Sequence, residues 1–146
     1  MKTLTSETWR IELPDDWEQK ESTEQGVLLF ETADLAKALY LTTLALAPAE
    51  RRSAAEIARA FSDTSAKAIA VMDAEWKKIG ESAGETNGVA GVITDHFAAA
   101  NAYRIITKVL ARPPFAIRGA FHDYLCDDYR ASTAYFTPIV DSLVLL

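Results

Sequence analysis

The last quarter of the chain constrains its fold most. From Ala102 to Cys126 residues alternate in the manner of strands, whereas Phe136, Ile139, Val140 and Leu143 recur at helical spacing. A change of period from about two to about 3.6 marks a sheet closing under a terminal helix. The two strands implied, Ala102–Ala111 and Phe115–Cys126, flank Arg112-Pro113-Pro114, which proline confines to a turn or an edge. The helix is expected over Ser132–Leu145. Pro138 should kink it, leaving a short first turn and a regular helix from near Thr137.

Earlier segments repeat the two periods. Trp9, Ile11 and Leu13 alternate with Arg10 and Glu12 in a strand from Thr8 to Leu13 that Pro14-Asp15-Asp16 ends. Trp17 follows alone in an acidic stretch and is expected to cover one end of the core. Val27–Phe30 and Ala38–Leu46 read as strands. For the second, a helix sharing Leu35, Leu39 and Thr42 on one side competes, and Thr42-Thr43 with the Pro48 stop favours the strand. Ser53-Ala54-Ala55-Glu56 has capping-box spacing and opens a helix carrying Ile57, Phe61, Ala68 and Met72 along one side. The weak helix formers Ser62-Asp63-Thr64-Ser65 predict an interruption within it. Glu75–Thr86 and Val89–Phe97 form a hairpin across Asn87-Gly88, which accepts the positive φ values of a type I′ turn.

This order predicts an α+β fold, an antiparallel β-sheet with two main helices packed on it, as a single domain over residues 1–146. Both helices are expected on one face, since neither has apolar surface all round. The formal net charge of -6 argues against a nucleic-acid partner. The single cysteine, Cys126, precludes an intramolecular disulfide and is expected to be a small buried hydrophobe. No segment approaches the roughly 20 apolar residues of a membrane span, and the N-terminus lacks a signal-like apolar stretch, so a cytoplasmic location is expected.

Ile11-Glu12-Leu13-Pro14-Asp15-Asp16-Trp17 near the start, and the helix from Phe136 to Leu143 with Ser142-Leu143 at its end, bring in a family. With a mid-chain helix and a following hairpin run, this layout resembles the Mog/PsbP-like fold over nearly the whole chain. Its members include a Ran-binding nuclear transport factor, a photosystem II extrinsic subunit and Eag-type chaperones that hold apolar segments of type VI secretion effectors. The resemblance implies a non-catalytic binding or adaptor role. It transfers no set of functional residues.

Catalytic motifs do not emerge from the residues themselves. Gly80, Gly84, Gly88 and Gly91 are spread through a hairpin rather than a phosphate loop, there is no nucleophile elbow, and no cofactor is expected. Asp127-Asp128, where the last helix approaches, reads as a helix-entry pair more than as an acid–base pair. Asp95-His96 and His122-Asp123 contain zinc-ligand types, but neighbours on a strand point to opposite faces. A metal-assisted enzyme using His96 and His122 is therefore the alternative function.

The leading candidate is a face of the C-terminal hairpin. A three-residue Arg112-Pro113-Pro114 loop puts Tyr103, Ile105, Val109, Phe115, Ile117 and Phe121 on an inner face. Arg104, Lys108, Arg118, His122 and Tyr124 then share the outer face, with Ile106 and Leu110 among them. Such a basic, partly apolar surface on an acidic chain would dock a protein or peptide, of acidic character, or a second copy in a homodimer. A solvated sheet face is the competing reading.

Overall fold

The computed structural model describes residues 1–146. Its strands are β1 (Lys2–Thr5), β2 (Trp9–Leu13), β3 (Trp17–Lys20), β4 (Val27–Thr32), β5 (Lys37–Ala45), β6 (Lys77–Thr86), β7 (Val89–Ala98), β8 (Tyr103–Arg112), β9 (Phe115–Asp123) and β10 (Val144–Leu145). The helices are α1 (Ala54–Ala70) and α2 (Tyr129–Ser142). A seven-stranded antiparallel sheet has the order β3-β4-β5-β9-β8-β7-β6, and a three-stranded sheet the order β1-β2-β10. The fold class is α+β, as the alternation of periods requires.

Local chemistry explains the element boundaries. Ser53 accepts from the Glu56 N–H while Glu56 accepts from the Ser53 N–H, so the capping box opens α1. Asp128 caps α2 by accepting from the N–H groups of Arg130 and Ala131. Asn87 and Gly88 take φ of 53° and 79°, which closes the β6–β7 hairpin.

Other boundaries correct the sequence reading. α1 runs unbroken through Ser62–Ser65 because Ser62 and Ser65 turn inward against the sheet and Thr64 returns its hydroxyl to Ala60 O. α2 starts at Tyr129, not near Thr137, and encloses Pro138. Burial of Phe136, Ile139 and Val140 outweighs the missing proline N–H. The chain then leaves the helix at Leu143 so that β10 can pair with β2. Lys2–Thr5 and Trp17–Lys20, too short and polar to signal in the sequence, are strands because β2 and β4 offer partners.

The helices lie on opposite faces of the large sheet, against the expectation of one shared face. On one face Phe136, Ile139, Val140 and Leu143 join Ile106, Leu110, Ile117 and Phe121, and the small sheet adds Trp9, Ile11, Leu13 and Leu145 to the same core. Trp17 is fully buried there and its indole N–H donates to Tyr135 Oη at 2.8 Å. On the other face Ile57 and Ala58 of α1 pack on Ala90, Val92, Val109, Ala111 and Ala116. The central strands β8 and β9 are thus apolar on both sides, which a half-buried sheet would not be.

Candidate functional site

The turn between β8 and β9 decides where the candidate residues point. Pro113 and Pro114 alone form the connection, and Arg112 pairs with Phe115. This is one residue shorter than the loop expected from the sequence, and a one-residue slip turns every side chain of one strand to the other face. Ile106 now stands beside Phe121 and Leu110 beside Ile117, on the α2 face, together with Arg104 and Lys108. Arg118, His122 and Tyr124 lie on the α1 face with Tyr103, Ile105 and Val109. The single basic outer face does not exist.

Nor are its first members exposed. Arg104 is 4% exposed, with Nε and Nη2 on the two Asp95 oxygens at 3.0 and 2.7 Å, Nη1 on Ser132 Oγ, and its plane over the Tyr129 ring. It joins β7, β8 and α2 and is not a docking cation. Lys108, also buried, donates to Val140 O at 2.8 Å, and burial lowers its pKa. Ile106 and Leu110 belong to the core.

Two recesses take in residues of this set, one on each face. On the α2 face, a groove of about 750 Å³ runs between the β6–β7 hairpin and the C-terminal segment. Val89, Ile93, Leu110 and Leu145 supply apolar lining, Lys108 and Arg112 the charge, and no Asp or Glu lines it. Arg112 is held by the main-chain oxygen of Leu146. Beyond the groove every residue of β6 is exposed and its outer edge is unpaired.

On the α1 face, a cleft of about 390 Å³ opens under the end of α1. Its aromatic wall is Tyr40, Tyr103, His122 and Tyr124, with Tyr103 Oη 2.6 Å from His122 Nδ1 and the Tyr40 and His122 rings edge to face at 5.0 Å. Burial pushes the His122 imidazole down to about 4 and the Tyr103 phenol up to about 12, so both are neutral at neutral pH. Tyr124 is raised as well, first by burial and then by the neighbouring Tyr40. Arg118 and Ser65 meet at the side of this cleft, Nη1 to Oγ at 3.2 Å. Tyr40, Thr42 and Ser65 escaped the sequence reading, since only the pairing of β5 with β9 brings Tyr40 and Thr42 beside His122 and Arg118, and only the packing of α1 on the sheet brings Ser65 to Arg118.

His96 and His122 share the α1 face but flank Ile105, which pairs with both. His96 is 6% exposed, its Nδ1 has no partner, and burial lowers its pKa. No three His, Cys, Asp or Glu side chains gather where a metal ion could be held. Asp95 faces the other side, with Arg104, and Cys126 is buried with its thiol pKa raised by burial. The residues present do not assemble a metal-assisted catalytic centre.

Comparison with solved structures places this architecture. The solution structure of cyanobacterial PsbP (CyanoP) from Synechocystis sp. PCC 6803 superposes with a TM-score of 0.72 over 99% of this chain and 92% of that one. The fold is PsbP-like. Sequence identity is 13%, so the PsbP-like likeness carries architecture and not residues. No protein-family model and no curated protein matches the chain. No helix of this PsbP-like chain is long and apolar enough to cross a membrane.

Proposed function

We propose that the chain is a non-catalytic binding protein, an adaptor or chaperone-like partner, that seats an acidic peptide segment in the groove beside β6. The observation that carries this reading is charge. In a chain of net charge -6, the groove's only ionisable side chains are Lys108 and Arg112, set among Val89, Ile93, Leu110 and Leu145. A segment alternating carboxylates with apolar side chains matches that lining. Of the residues singled out in the sequence, the buried Lys108 and Leu110 line the floor of this groove, and Arg112 replaces Arg104.

Peptides selected by display on the immobilised chain should be enriched in Asp and Glu interleaved with apolar residues. Their binding should weaken as salt screens the exposed charge and fall about tenfold with Ser82→Glu plus Arg112→Glu, two groove-lining positions. Peptides without acidic bias, or indifferent to the double variant, would refute the proposal. The open β6 edge favours a second copy of the chain as the other occupant. Sedimentation showing a dimer that the double variant disrupts would replace the peptide with that copy.

A further inference from the structure

The cleft under α1 contains a guanidinium, that of Arg118, which no carboxylate pairs. Arg118 lines the cleft half-buried, has no carboxylate within 4.0 Å and makes one side-chain bond, to Ser65. A half-buried guanidinium with donors to spare is costly unless something accepts from it. Beside it, Thr42 is its direct cross-strand neighbour, and the Thr42 hydroxyl is buried without a partner. Three donors, from Arg118, Ser65 and Thr42, therefore converge on one end of the recess.

The rest of the recess has a different character. Tyr40, Tyr103, Tyr124 and His122 wall it with ring faces and edges, and Ala120 leaves room at its floor. Ile69 and Met72, from the end of α1 and just beyond it, close the other side. The one acidic lining residue, Glu24, is exposed and precedes Val27, the partner of Thr42 on β4. The volume of about 390 Å³ sits near the lower end of the roughly 300–1,000 Å³ range of small-molecule pockets. It is too small for a chain segment with several side chains.

We infer that this cleft binds a small aromatic monocarboxylic acid, its carboxylate on Arg118, Thr42 and Ser65 and its ring among the tyrosines and His122. One guanidinium balances a single negative charge, which favours a carboxylate over a phosphate dianion. The neutral wall adds stacking and phenolic hydrogen bonds without competing for the charge.

Isothermal titration of the full chain with indole-3-acetate, 4-hydroxyphenylacetate, cinnamate and 1-naphthoate tests the assignment. At least one acid should bind saturably, and its primary amide at least about tenfold more weakly, as loss of a charge-assisted contact requires. Arg118→Met should reduce binding by a similar factor and Arg118→Lys by less. Ala120→Leu should block the floor, with the ligand-free melting temperature reporting that each variant is folded. Failure of all four acids, equal binding of acid and amide, undiminished binding by folded Arg118→Met, or equal binding of inorganic phosphate would overturn the inference. So would a peptide with a free C-terminal carboxylate binding where the small acids do not.

Discussion

At the residue scale the most consequential pair is Arg104 with Asp95. Their side chains are 5% and 15% exposed, and Tyr129 Oη donates to the same Asp95 oxygen at 2.6 Å. Asp95→Ala strands a buried guanidinium and is expected to cost about 3–5 kcal/mol in urea unfolding, whereas a loss below about 1 kcal/mol would show that solvent takes over. His122 makes a pH-dependent prediction. Its folded pKa of about 4 lies below the ordinary 6.5, so between those values the unfolded chain binds the extra proton. The stability it contributes is complete above pH 6.5 and is lost as pH falls toward 4. His96, lowered in the same direction, adds to this slope. Melting temperatures of His122→Gln should fall less steeply than those of the parent across this window, and parallel curves would refute the role of burial.

At the element scale the two helices are stabilised by different means. α1 presents mostly alanine and serine to the sheet, with Ile57 and Ile69 as its large buried side chains, and depends more on its capping box. Ser53→Ala is expected to cost about 1 kcal/mol. α2 instead sinks Phe136, 1% exposed and edge to face with Phe121, into the larger core. Phe136→Ala should cost roughly 3–5 kcal/mol. Chemical denaturation of the two variants measures both, and equal losses would contradict the difference in anchoring.

For the whole molecule, one sheet separates two unequal cores. The α2 side joins sixteen buried hydrophobic residues and the α1 side seven, mostly Ala and Val, so opening α1 exposes less apolar surface than global unfolding. Native-state hydrogen exchange should find α1 amides opening below the global free energy and the slowest amides in β5, β8 and β9. Uniform protection across α1 and these strands would show one cooperative unit. A cleft under the less anchored helix is also the recess that a ligand can most readily reshape.

Much of this architecture was legible because it is local. The hairpin at Asn87-Gly88, the Ser53–Glu56 box, the Asp128 cap and the alternation of β2 and β7 are written in neighbouring residues, where backbone φ preference and short-range hydrogen bonding decide. Burial of Trp9, Trp17, Phe136 and Cys126 follows from residue type as well. What only the tertiary structure decided is which face each strand turns to which helix. The two-residue proline turn set that register, dividing Arg104 and Lys108 from Arg118, His122 and Tyr124. Pairing of β5 with β9 then brought Tyr40 and Thr42, some eighty residues earlier in the chain, beside His122 and Arg118. Side-chain direction alternates with a period of two, so a single residue of loop length, invisible to hydrophobic pattern, chooses between a surface cation and a buried one.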